Sequence, residues 1–380
     1  MKSKASATPA ALHGKTVLVL QGGGALGAYQ AGAYQALHGE NIDIDWVAGI
    51  SIGAINSAII AGNPPGDRLA SLESFWDTIT HDFNLLLPAV TGRHARFLRN
   101  QSSALTSLVW GVSGFFRPRV PPPMFHRRGS DEAVSFYDTR SLRETLERFI
   151  DFDRINNEGI RVSLGATNVR TGNFVYFDNT QRELRVEHVM ASAALPPGLP
   201  AVMVDGECYW DGGIVSNTPL HYVLDEGLDQ DTLIFQVDLF SAHGNVPEDI
   251  FEVEERHKDI VYSSRTRLNT DIFRDKLKLK RAIVALRDRL PEELKQDPEI
   301  RELCKVAEGD DREVTIVHLI YKRKHYESQS KDYEFSQLSM QEHWQAGYQD
   351  TLASIHCPDW RTASKNGKGL HVFDMQEYAQ

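Results

Sequence analysis

The chain has 380 residues, 41% apolar and 24% charged, enough for one large α/β domain with an appendage or for two domains. Lys and Arg total 41 against 52 Asp and Glu, and the net charge of −11 argues against nucleic acid bound over the whole surface. Three scattered cysteines (Cys208, Cys304, Cys357) argue against a disulfide framework or a CxxC zinc site.

Residues 1–14 carry two lysines but no apolar core of signal-peptide length and read as a flexible tail. No run reaches the roughly 20 apolar residues needed to span a bilayer. The expectation is a cytoplasmic protein whose membrane contact, if any, is peripheral. KTVLVL (15–20) predicts a buried strand that enters the glycine turn GGGALG (22–27). A helical pattern follows at Ala28, Ala31, Tyr34 and Leu37. IDWVAGI (44–50) predicts a second strand, which runs into Ser51 and a helix of small apolar residues. Two successive strand–turn–helix units predict a parallel α/β sheet.

Residues 67–80 read as a helix. The stretch 83–130 differs: Arg93, Arg96, Arg99, Arg117, Arg119, Arg127 and Arg128 occur without one acid, among Leu85–Leu87, Trp110, Phe115, Phe116, Pro121–Pro123 and Phe125. SLRETLERFI (141–150) predicts a helix with Ser141 and Glu144 at capping-box spacing. Strands are expected at 161–169 and 172–179, a helix at 186–195, a strand or hairpin at 206–213 and a buried strand at 231–240. From 246 the chain turns charged and largely helical, with one strand at 312–321 and a helix at 336–355. This part is either a helical second lobe or an extension that covers the first domain.

Three glycine-marked turns carry the chemistry. Gly22, Gly24 and Gly27 satisfy G-x-G-x-x-G, the dinucleotide fingerprint. That reading needs an acid at the end of the second strand. Asp43 and Asp45 precede that strand, and its end carries Ser51. The other use is an oxyanion hole, with backbone N–H groups of Gly22, Gly23 and Gly24 aimed at a developing alkoxide. The second turn, Gly49-Ile50-Ser51-Ile52-Gly53, has the G-x-S-x-G form of a nucleophile elbow, and its context of strand before and helix after is right. Its base is open: His188 and His221 are candidates, and so is Asp211, which precedes Gly212 and Gly213 in the third turn. Asp211 also reads as a plain turn former.

Together, in this order, the three turns resemble the patatin-like phospholipase family. Gly22–Gly27 resemble its glycine-rich block, Ser51 within Gly49–Gly53 its nucleophile elbow, and Asp211-Gly212-Gly213 its D-G-[AG] block. ASAALPP (191–197) and GATNVRTG (165–172) are similar to two further blocks, so the resemblance covers about residues 15–220. It implies a three-layer α/β/α sandwich with a mainly parallel central sheet over 15–245. It also implies a Ser51–Asp211 dyad without histidine that hydrolyses acyl esters, with no metal and no organic cofactor. Residues 246–380 resemble an extension that follows bacterial patatin-like domains, which implies a bacterial source. Its histidines (His318, His325, His343) lack metal-ligand spacing. The expected partner is an acyl lipid or another acyl ester, thioester or short polyester. Residues 83–130 read either as a flap lying on anionic lipid or as a solvated loop whose arginines pair elsewhere. A dinucleotide-binding oxidoreductase and a catalytically latent scaffold are the alternatives of other classes. Oligomeric state is not legible.

Overall fold

In a computed structural model of the chain the described residues are 14–81, 93–226, 228, 230–264, 266–305, 307, 312–324, 326–358, 360 and 369–374. The expected tail, Gly14 apart, lies outside them, as do Leu85–Leu87 and His325.

The apolar run Lys15–Leu20 forms β1, and α1 (Gly27–Gly39) leaves the glycine turn. β2 (Trp46–Ile50) and α2 (Ile52–Ala61) repeat the unit, followed by α3 (Arg68–Ile79). The arginine-rich stretch holds an 18-residue helix, α4 (Arg93–Trp110), where the sequence shows only a change of composition. A short antiparallel pair follows, β3 (Arg117–Pro118) with β4 (Tyr137–Asp138). Next comes α5 (Arg140–Phe149), whose N-cap is Thr139 and not Ser141; Asp138, just before it, accepts the Arg140 N–H on Oδ1 at 2.9 Å. The chain continues through α6 (Phe152–Asn157), β5 (Arg161–Asn168), β6 (Phe174–Asp178), α7 (Val186–Ser192), β7 (Val202–Val204), β8 (Glu207–Asp211), α8 (Leu220–Asp225) and β9 (Thr232–Asp238). The last part comprises α9 (Ile250–Tyr262), α10 (Thr266–Asp288), α11 (Glu292–Lys295), α12 (Pro298–Lys305), β10 (Val314–Ile320), α13 (Gln337–His356) and β11 (Leu370–Asp374).

Nine strands make one sheet in the order β11-β10-β9-β1-β2-β5-β8-β7, with β6 also paired to β5. The six strands from β11 to β5 run parallel, and β6, β7 and β8 pair antiparallel. Alternate residues of β1 enter opposite cores. Leu18 and Leu20 pack with Tyr29, Ile55 and Trp76, whereas Val17 and Val19 pack with Leu220, Val223 and Phe273. Both faces are therefore covered by helices, which gives three α/β/α layers.

The change of composition at 246 marks no change of sheet. β10 pairs with β9 along its whole length, from Val314 opposite Thr232 to Ile320 opposite Asp238. α13 crosses α1 backbone to backbone: a Cβ on Gly32 would sit 1.9 Å from the Trp344 carbonyl oxygen, and one on Gly347 1.9 Å from that of Tyr29. Flanking bonds hold the crossing, from Trp344 Nε1 to Gln35 Oε1 (2.6 Å) and from the Tyr29 hydroxyl to Asp350 (3.0 Å). Phe115 and Phe116, grouped above with lipid-facing aromatics, are core residues. Phe115 packs on Phe335 and Phe116 on Tyr137, with ring centroids 6.0 and 4.8 Å apart.

The helix crossing yields a test. Gly347→Ala is expected to destabilise the chain by about 1–3 kcal/mol through overpacking. Gly39→Ala, where no atom lies within 4 Å of the added methyl, is expected to be neutral or mildly stabilising. Denaturant midpoints of the two variants check the contrast.

Candidate active site

Ser51 joins β2 to α2 with φ 57° and ψ −124°, a backbone region that side chains other than glycine rarely occupy. The elbow closes because its neighbours lack side chains. A Cβ on Gly49 would lie 2.2 Å from the Gly53 carbonyl oxygen, and one on Gly53 2.4 Å from that of Leu20. The Ser51 N–H donates to Ser192 Oγ (3.1 Å), which in turn donates to the Gly165 carbonyl (2.6 Å). Ser192 thus ties the elbow to β5 from the end of α7.

Sheet register brings in Asp211. Ile50 of β2 lies opposite Gly165 of β5, and the next β5 residue, Ala166, lies opposite Asp211 of β8. Two side chains 160 positions apart in sequence thereby converge over one strand. Asp211 is 1% exposed. Its N–H donates to the Ala194 carbonyl (2.9 Å), and its carbonyl accepts from Thr167 Oγ1 (3.2 Å). Its carboxyl accepts the Gly213 N–H at 2.7 Å, and the nearby Ser51 hydroxyl favours its charged form. Burial pushes its pKa from 3.8 to about 7, although the Ser51 hydroxyl and the Gly213 N–H pull the other way. Gly212 lets β8 approach β5, since a Cβ there would meet the Gly165 oxygen at 2.7 Å.

The glycine turn passes over Ser51. A Cβ on Gly22 would lie 2.3 Å from Asn217 Oδ1 and 3.1 Å from Ser51 Cβ. The Gly22 N–H, expected to be an oxyanion donor, is already bonded to the Asn217 carbonyl at 3.1 Å. The Ala25 N–H donates to the Asp332 carbonyl at 2.7 Å. The Gly23 and Gly24 N–H groups between them take no acceptor among the described residues. Gly27 lets α1 start against α2, where a Cβ would meet Ile52 at 2.5 Å.

The other candidates lie elsewhere or are engaged. Asp45, the acid considered for a ribose, accepts the Thr16 N–H (2.8 Å) at the N-terminal edge of the sheet, opposite the glycine turn. His188 caps α7, its Nδ1 accepting the Arg185 N–H at 2.9 Å. His221 pairs with Asp225 on the surface at 3.0 Å. His318 and His343 are buried in pairs with Asp238 (2.5 Å) and Glu327 (2.8 Å). Ser192 lies in the ASAALPP block quoted above, though without a role there, and sequence reasoning passed over Asn217, Tyr262 and Asp332. Asn217 follows the DGG turn closely enough to have drawn notice, but nothing local marks Tyr262 or Asp332.

A family model described as patatin-like phospholipase matches residues 18–224, more than half the chain, and a second, described as patatin phospholipase, matches 260–367. No curated protein matches significantly. Among solved structures, VipD from Legionella pneumophila aligns with 14% identity and a TM-score of 0.38, over 90% of this chain and 66% of its own. Human GIVD cytosolic phospholipase A2 aligns with 11% identity and a TM-score of 0.39, over 92% and 63%. ExoU from Pseudomonas aeruginosa, solved with SpcU, aligns with 18% identity and a TM-score of 0.29, over 77% and 60%. The chain thus spans less than two thirds of these proteins, and at such scores the overlaps carry no argument of their own.

The raised Asp211 pKa has a consequence for stability. Between about pH 4 and pH 7 the folded chain keeps a proton that the unfolded chain has shed, so this carboxyl's contribution to stability falls as pH rises through that window and stays low above it. Asp211→Asn removes the titration. Its melting temperature is expected to gain several degrees on wild type between pH 5 and pH 8. Thermal unfolding at the two pH values checks this, and an unchanged gap contradicts it.

Proposed function

The chain belongs to the patatin-like phospholipase family, and on that premise we propose that it hydrolyses acyl esters with a Ser51–Asp211 dyad and no histidine. The observation that carries this reading is the strand register that brings Ser51 beside a buried carboxyl whose pKa is pushed up to about 7. A carboxylate of ordinary pKa is a poor base for a serine hydroxyl, whereas one poised near 7 takes the proton in concert with attack. Ser51 Oγ adds to the acyl carbonyl as Asp211 takes its proton. The Gly23 and Gly24 N–H groups receive the oxyanion. Asp211 returns the proton to the departing alcohol, leaving an acyl-Ser51 ester. Asp211 then deprotonates a water that attacks this ester, and the acid leaves as Ser51 regains its proton. Each proton has a place on Asp211, so the cycle needs neither metal nor organic cofactor. Thioesters and short polyesters present the same carbonyl, and acyl lipids are favoured by the surface beside the site.

That surface belongs to the arginine-rich segment. Trp110 and Phe125 are each 75% exposed and Val120 is 89% exposed, with Arg117, Arg127 and Arg128 also exposed. The segment is tied to the wall of the site. The Arg119 N–H donates to the Phe136 carbonyl, and the Phe136 and Tyr137 N–H groups donate to the carbonyls of Pro197 and Gly198. These lie just past Ala194, which holds the Asp211 backbone. Arg96, by contrast, pairs with Glu342 at 2.9 Å and serves structure. Exposed arginines and large apolar side chains concentrated in one segment of a chain of net charge −11, although Asp131 and Glu132 follow them, suit an anionic lipid surface. Among the described residues no helix is long and apolar enough to cross a membrane, so the proposed contact is peripheral.

Two tests follow. Ser51→Ala and Asp211→Asn are each expected to lower kcat on p-nitrophenyl esters by about 10³-fold or more. Wild-type kcat/KM is expected to rise with pH and level above about 7, and a fluorophosphonate is expected to add its mass to Ser51. Full turnover by folded Ser51→Ala removes the nucleophile. Separately, Trp110→Ser with Phe125→Ser is expected to weaken sedimentation with phosphatidylserine vesicles about tenfold while turnover of a soluble short-chain ester stays as in wild type. Unchanged sedimentation contradicts the membrane patch.

A further inference from the structure

A run of three glycines is a poor holder of its own shape. It has no side chains to restrict φ and ψ, yet oxyanion donors work only when aimed in advance. The direction of Gly23 and Gly24 must therefore be imposed from outside the turn. In a trans peptide the N–H points opposite to the C=O of the same unit. The unit that carries the Gly23 N–H carries the Gly22 carbonyl, and that oxygen accepts from Asn217 Nδ2 at 3.0 Å. The unit that carries the Gly24 N–H carries the Gly23 carbonyl, which accepts the Leu26 N–H at 3.2 Å. Leu26 follows Ala25, whose own N–H is held by the Asp332 carbonyl at 2.7 Å. Asn217 thus aims one donor, and Asp332 holds the frame of the other.

Both anchors lead to α9. The carbonyl of Tyr262, its last residue, accepts from Asn217 Nδ2 and from Gln21 Nε2, each at 3.0 Å. One turn earlier, Lys258 Nζ donates to Asp332 Oδ1 (2.5 Å) and to the Gln329 carbonyl (2.9 Å). Lys331, beside Asp332 and buried, reaches back to Asp259 at 2.6 Å. Two reciprocal ion pairs therefore clasp the turn at 329–332 onto α9. The Asp332 carbonyl is pressed so close to the glycine turn that a Cβ on Gly24 would sit 2.0 Å from it.

We propose that α9 and the Lys258–Asp332 bridge form a positioning device for the oxyanion donors, so that the second half of the chain completes the site built by the first. The proposal rests on the Ser51–Asp211 reading. Lys258 touches no reacting atom. It acts through the Asp332 carbonyl on Ala25, and so on the direction of the two free N–H groups between the anchors.

The test is Lys258→Met, measured for kcat and KM on a soluble p-nitrophenyl ester and for the rate of Ser51 phosphonylation by a fluorophosphonate. The expected result is a 10- to 100-fold loss in kcat and in phosphonylation rate, KM within about twofold of wild type, and partial recovery in Lys258→Arg. Asp332→Asn, which keeps the size of the side chain and leaves no ammonium buried without an acceptor, decides by the same measurements if Lys258→Met does not fold. A kcat within twofold of wild type, or a loss carried by KM alone, overturns the proposal. Ser51→Ala separates the two readings: if it keeps wild-type activity the dyad itself fails, whereas an inactive Ser51→Ala beside a fully active Lys258→Met sinks the clasp alone.

Discussion

A carboxyl group held out of water beside a serine hydroxyl is the constraint on which the rest of this structure depends. Desolvation opposes the charge on Asp211, and among the described residues the Gly213 N–H and the nearby Ser51 hydroxyl favour it. Placing those two donors on one carboxyl requires a mixed sheet. Parallel β2 delivers Ser51, antiparallel β8 delivers Asp211, and β5 between them sets their separation through its register. Gly212 lets β8 lie close to the Gly165 carbonyl, Gly165 leaves room for the Phe174 ring and Ile50, and Ser192 bonds the Gly165 carbonyl.

The same absence of side chains that opens the site also weakens it. Gly49 and Gly53 let the elbow close around a strained Ser51, and Gly22 lets the turn pass over it, but glycine supplies no packing to hold what it permits. Rigidity is supplied from a distance. Ser192 holds the elbow, Asn217 holds Gly22, and the segment around Asp332 holds Ala25. The close crossing of α1 by α13 and the pairing of β10 with β9 carry that segment to the turn. A chain whose composition suggests a catalytic half and an appended half is, at the glycine turn, one mechanical unit.

Much of the first half was legible in sequence because its signals are local. A β-branched run, a glycine turn and a small-residue helix each follow from neighbours in the chain, and two such units in succession require a parallel sheet. The failures have equally physical causes. α4 was missed because its arginines and polar residues blur any apolar stripe. Phe115 and Phe116 were read with a segment that is either a lipid flap or a solvated loop, because composition cannot tell which aromatics of a segment turn inward. The last sheet strand, Leu370–Asp374, was missed because it is short and follows a polar stretch.

The sequence by itself determined the fold class, the strained serine between two glycines and the family to which these turns belong, since each is written in residues close together in the chain. Which glycine amides take no acceptor among the described residues, and what holds the turn that carries them, were decided only by tertiary structure. Those properties depend on strand register and on contacts between positions as far apart as Ala25 and Asp332. Burial, which sets the pKa of Asp211, exists only once the layers have closed over it.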